Sequence, residues 1–160
     1  MKFIGVFAAI LAASVGSLAV SADLPVKKVL TLKAAKAIAA AAEAEANKRG
    51  FTAVIAIVDD GGHLLFLERL DNTQVASVDV AIDKARTASI FRRPSKDFED
   101  QIKNGRAASL VLPGATPLQG GIPILVDGKV IGAIGVSGNT PQEDEEIAKT
   151  GAAATEEAIR

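Results

Sequence analysis

"IPILVDGKVIGAIGVSGNTPQE", residues 122–143, decides the fold. Two apolar runs flank Asp127 and Gly128, a pair that readily takes the positive φ of a tight hairpin turn. Behind the second run, Thr140 is a helix N-cap, Pro141 suits the first turn, and Glu143 completes a capping box. The segment therefore reads strand, turn, strand, helix, with the two strands antiparallel.

Working backwards, "IVDDGGHLLFLERLDNTQ", residues 57–74, repeats the plan: a strand, a Val-Asp turn with glycine, a second strand, then Asn-Thr ahead of a helix. That helix is expected from Thr73 to Ile90. Val78, Ala81, Ile82, Ala85 and Ser89 fall on one side at ~100° per residue, and Asp79, Asp83 and Arg86 on another. The echo has two readings, a related pair of hairpin-helix units or turn chemistry shared by unrelated hairpins. Upstream, Thr31 to Arg49 has an N-cap at Thr31, a stripe of Ala35, Ile38, Ala39, Ala42 and Ala46, and Gly50 as its stop. So small a face lets a helix lie flat on a sheet. Between the hairpin units, "SKDFEDQIKNG" predicts a short helix capped by Ser95 and stopped near Gly105, followed by the long loop "RAASLVLPGATPLQGG". The order is α-ββ-αα-ββ-α, an α+β fold whose central antiparallel sheet of hairpins is flanked by helices.

The beginning of the chain has a different character. Lys2, an apolar stretch from Phe3 to Val15 and the small residues Val20, Ser21 and Ala22 predict an export signal over residues 1–22. Residues 23–160 are then a single domain, periplasmic or secreted, with no further segment apolar enough to cross a bilayer. Cysteine is absent, so neither disulfides nor thiol chemistry contribute. The formal charge of −1 gives no electrostatic footprint for nucleic acid or an anionic membrane. The "FRRPSK" cluster is read as cations closing a helix. The strand "HLLFLERL" carries large apolar residues on both faces, which predicts cover from a second copy and hence a homo-oligomer.

Composition narrows the chemistry further. The chain holds one histidine and one methionine, with no cysteine, tyrosine or tryptophan, and the methionine is Met1. One subunit cannot assemble a nitrogen and sulfur zinc site, and no nucleophile-elbow sequence supports a serine triad. "GAIGVSG" lies in a hairpin strand and lacks the βαβ context of a dinucleotide site, so its glycines are expected to admit a close neighbour. His63 follows a double glycine at the hairpin tip: either a solvated turn residue or, by alternation with Leu65, Leu67 and Arg69, a group overhanging a groove. Lys84 sits on the wheel beside Ser77, Ala81 and Ala88, away from the charged sector. Its ammonium either escapes to water or forms the floor of a small pocket. The run Glu143 to Glu146 either complements the helix dipole or weakly binds a hard cation through exposed carboxylates.

"AIVDDGGHLLFLERLDNTQVASVDVAIDKARTAS" with "GGIPILVDGKVIGAIGVSGNTPQEDEEIAKTGAAA" resembles the GlcG/HbpS-like family of haem-binding or haem-degrading domain proteins. The resemblance spans nearly all of the chain after residue 22. It implies a sheet flanked by helices, symmetric oligomers and haem as a cofactor. The family pattern falls on Asp59, Gly62, Arg69, Asp71, Ser77, Ala81, Lys84 and Ala85. It continues through Gly120, Gly121, Pro123, Gly132, Gly135, Ser137, Gly138 and Asp144. The cofactor-binding set expected on this basis is His63, Arg69, Ser77, Lys84, Gly120, Gly121 and Ser137. Haem iron is ordinarily held by histidine, cysteine, methionine or tyrosine, so a strong protein ligand would be His63; otherwise the iron is held weakly by lysine, a hydroxyl, a carboxylate or water. A rival reading is a cofactor-free enzyme for a small carboxylate or carbonyl compound. There Lys84 and Arg69 bind the acid, and Asp59, Asp71 or Glu68 serves as base.

Overall fold

A computed structural model describes residues 23–160. The expected export signal at 1–22 lies outside them. No described helix is long and apolar enough to cross a membrane. Helices and strands follow the expected order: α1 Leu32–Arg49, β1 Val54–Asp59, β2 Leu64–Arg69, α2 Ser77–Ile90, α3 Lys96–Lys103, β3 Gly121–Val126, β4 Lys129–Ser137, α4 Pro141–Ala153 and a terminal turn, α5 Thr155–Ala158. A short 3-10 helix, Ala107–Val111, lies within the expected long loop.

The strands form one antiparallel sheet in the order β2-β1-β4-β3. The two hairpins are joined through β1 and β4, where Ile57 faces Ile134 and Val58 faces Ala133. Alternation then sends successive side chains to opposite faces. Ile55, Ile57, Ile122, Ile124, Ile134 and Val136 enter the larger core, with the buried stripe of α1 and with Ile147 and Ala148 of α4. Val54, Ala56, Val58 and Ala133 turn the other way, onto Ala81, Ala85 and Ala88 of α2. The sheet is thus covered by two helices on one face and one on the other.

The α1 stripe is buried as its spacing requires, with Ala35, Ile38, Ala39, Ala42 and Ala46 all at 0% exposure. Thr31 Oγ1 accepts from Ala34 N, and Gly50 closes the helix at φ 70°. The capping box of α4 is complete: Glu143 N donates to Thr140 Oγ1, while Thr140 N donates to the Glu143 carboxylate. Two expectations are corrected. Ser95 occupies the N-cap of α3 without capping it, because its hydroxyl donates to Leu118 O and accepts from Gly121 N, tying the loop to β3. Helix α2 begins at Ser77 rather than Thr73. Thr73 Oγ1 instead donates to Leu70 O at 2.7 Å and lies 3.2 Å from Ala53 O, which fixes the turn after β2.

Candidate functional site

The expected site residues fall into three places. At the end of β2, Arg69 lies across β1 from Ser137, both paired with Val54, and all three point to the α2 face. Ser137 Oγ donates to Ser77 Oγ at 3.2 Å in the first turn of α2, and both serines are buried. Arg69 itself is exposed. This end of the sheet presents one open cation above a dry pair of hydroxyls.

Lys84, two turns along α2, has its own setting. Its ammonium donates to Asp144 Oδ2 at 2.8 Å and to Val136 O at 3.0 Å, and the two side chains are only 4% and 3% exposed. Asp144 Oδ1 accepts from Asn139 N. Burial pushes the Asp144 carboxyl above the usual aspartate range, and the Lys84 ammonium and Asn139 N–H pull against that shift without cancelling it. The lysine reaches Asp144 past the start of β3, and the glycines there explain how. A Cβ on Gly121 would lie 2.1 Å from Lys84 O, and one on Gly120 would lie 3.0 Å from Lys84 Nζ and 3.1 Å from Asp144 Cβ. Gly120 and Gly121 therefore admit the helix backbone and the ion pair. The ammonium neither escapes to water nor stands open at a pocket floor. The rival enzyme reading loses its second free cation for that reason.

His63 stands apart, in the turn between β1 and β2, with its side chain 83% exposed. Asp59 organises this turn by accepting from Gly61 N and His63 N, and its Oδ1 is 3.3 Å from His63 Nδ1. Burial raises the Asp59 carboxyl, but these backbone N–H groups outweigh it and leave the carboxyl below its ordinary range. His63 Nε2 has no hydrogen-bond partner among the described residues. Strict alternation does not carry from His63 to Arg69, because Val58 faces Leu64 while Ile57 faces Phe66, leaving Leu65 as an extra, bulged residue. Six residues of extended chain separate His63 from Arg69, a span of ~20 Å. No cluster of three or more histidine, cysteine or carboxylate groups that could hold a metal exists among the described residues.

Reading the residues one by one missed Asp144 as the partner of Lys84, although the signal was present. Asp144, Ile147, Ala148 and Gly151 recur at helical spacing and are all buried, so this carboxylate lies on the apolar stripe of α4 rather than on its solvated face.

Residues 30–153 match the family model described as haem degrading protein HbpS-like. The chain is 45% identical over 111 residues to Protein GlcG of Escherichia coli (strain K12), covering 69% of this chain and 83% of that protein. A crystal structure of a double mutant of HbpS from Streptomyces reticuli shares 33% identity, with 92% of this chain and 97% of that chain covered and a TM-score of 0.74. A crystal structure of a PduOC:heme complex shares 27% identity over 79% of this chain and 95% of that one, at a TM-score of 0.72. With a family model covering most of the chain and relatives sharing both sequence and fold, this protein belongs to the HbpS-like family.

Proposed function

We propose that this is an exported haem-binding protein, assembled as a homo-oligomer, that holds haem or a related small ligand along the side of the sheet bearing β2 and α2. The observation that carries the reading is the likeness, over almost the whole of that chain, to a protein crystallised as a haem complex. The residues fit such a group in part. His63 offers an exposed imidazole whose Nδ1 lies near the Asp59 carboxylate, leaving Nε2 for iron. Leu64 beside it is 47% exposed and supplies apolar surface. Arg69, at the far end of the same strand, is suited to a propionate. Ser77 and Ser137 line the Arg69 end, while Lys84, Gly120 and Gly121 fix how closely α2 lies on the sheet. When bound, haem would supply the redox-active iron, with His63 as the residue that would hold the iron and Arg69 as the one that would meet a propionate.

Hemin titration tests this directly, because no amino-acid side chain absorbs where the Soret band lies. The native protein is expected to develop a saturable Soret band. His63→Ala should move the Soret maximum and weaken binding tenfold or more, whereas Arg69→Ala should weaken binding without moving the band. Absence of saturable binding overturns the function. Unchanged affinity and maximum in His63→Ala overturn axial ligation alone.

A further inference from the structure

The end of the sheet that carries both hairpin tips gathers exposed apolar surface. Leu24, Val26, Val29 and Leu32, on the segment that leads into α1 and at its first residue, are between 50% and 87% exposed. Leu125 of the β3–β4 hairpin and Ile159 after α5 join them, for Val26 and Leu125 border one cleft and Val29 and Ile159 another. These six are half of the twelve large apolar side chains that stand exposed among the described residues. Gathered in one place, such residues mark a docking surface. The segment is also held there. Lys27 pairs with Asp60 in the β1–β2 turn and Lys28 with Asp127 in the β3–β4 turn, so it is pinned across both tips with its apolar side chains turned outward.

The charges decide what covers it. Residues 24–36 hold Lys27, Lys28, Lys33 and Lys36 and no acidic residue, and the last two have no ion-pair partner among the described residues. Lysine is depleted where proteins pack on one another. At a bilayer surface its stem lies along the acyl boundary while its ammonium reaches the phosphates, so lysines interleaved with exposed apolar residues suit lipid better than a second copy. We propose that this end of the molecule docks peripherally on an anionic lipid bilayer, the apolar row entering the headgroup region and Lys33 and Lys36 meeting lipid phosphates. Asp60, Asp127 and Glu156 also border this end. Apolar insertion therefore supplies most of the attachment, and the two α1 lysines supply the preference for anionic lipid. The chain's formal charge of −1 gives no such footprint overall; the local one is confined to this end. The proposal stands on this surface alone and is independent of the haem reading.

The chain has no cysteine, so Leu125→Cys, Ile159→Cys and Val75→Cys can each carry one environment-sensitive fluorophore. Val75, 74% exposed beyond the opposite end of β2, is the control. With vesicles of phosphatidylcholine and phosphatidylglycerol, the labels at Leu125 and Ile159 should shift to the blue and be quenched by spin-labelled lipid, and that at Val75 should not. Residues 3–15 are apolar enough to attach to lipid by themselves wherever they are retained, and both reporters lie far from them in sequence. Attachment through that stretch alone leaves all three labels in water and overturns the proposal. Val26→Glu with Val29→Glu, at positions too exposed to disturb the fold, should abolish the blue shift. Lys33→Glu with Lys36→Glu should raise the lipid concentration for half-maximal signal about tenfold at low salt on phosphatidylglycerol vesicles and leave it unchanged on pure phosphatidylcholine. A parent signal indifferent to phosphatidylglycerol, or one unchanged in both double variants, overturns the proposal. Labels that respond to protein concentration instead of lipid make a second copy the occupant and overturn it too.

Discussion

Lys84 shows how one residue type carries opposite meanings according to its partner. A lysine on a face of alanines and serines is unusual enough to attract a functional reading, yet its ammonium is fully engaged by Asp144 and Val136 O. Removing one member of such a pair leaves an uncompensated buried charge, whereas neutralising both is far milder. Lys84→Met is therefore expected to cost about 3–5 kcal/mol at neutral pH, and Lys84→Met with Asp144→Asn to recover much of it, because the asparagine oxygen still accepts from Asn139 N. The pH dependence carries a sign. Burial already raises the folded-state affinity of Asp144 for a proton, and loss of the ammonium raises it further. The folded variant then binds a proton that the unfolded chain has released, so its stability falls as pH rises from the ordinary aspartate value through the raised one. Its deficit against the native protein should be complete above that window and shrink below it. Urea unfolding of the three proteins across pH measures both effects; a deficit independent of pH would refute the buried-charge account.

At the scale of elements, the helices and hairpins were legible because each is punctuated locally. Thr31 and Gly50 bound α1, Thr140 and Glu143 open α4, and Asp127-Gly128 turns β3 into β4. The bulge at Leu65 was not legible, since register is settled between strands and leaves no mark on one of them. The echo between the hairpin units extends to strand placement: each unit sets its second strand on the same side of its first in the order β2-β1-β4-β3. It fails at the helices. Thr73 fixes a turn where Thr140 caps a helix, and α2 and α4 pack on opposite faces of the sheet. The glycines of "GAIGVSG" admit close neighbours as expected: Gly132 lies against Val58 O, Gly138 against Thr52 O, and Gly135 against α2. A Cβ on Gly135 would stand 2.1 Å from Ala81 O and 2.6 Å from Ala85 N, both backbone atoms that cannot rotate away. Gly135→Ala must push the helix off the sheet, and overpacking of this kind typically costs about 1–3 kcal/mol. A thermal midpoint within a degree of the native value would show that the close approach is dispensable.

The whole molecule exposes what its own helices do not cover. β2 is an edge strand with one row of backbone groups unpaired by the sheet, and its residues Leu64 to Arg69 are all exposed or half-buried. Leu64 is 47% exposed and Val75, just beyond the strand, is 74% exposed. Its charges, Glu68 and Arg69, stand only at the far end of the strand, and the rest of the edge, which has no proline, invites pairing with another chain. A second copy is the occupant proposed here. Light scattering of the protein purified without hemin should therefore give a mass at least twice that of the single chain at micromolar concentration. Leu64→Lys places a charge on the strand where it is already solvent-facing, so it should leave the helical and strand signal of circular dichroism intact. It should shift the assembly toward monomer by tenfold or more in its dissociation constant. A native protein that is monomeric at these concentrations would sink the prediction. Oligomers unaffected by Leu64→Lys would move the interface away from β2.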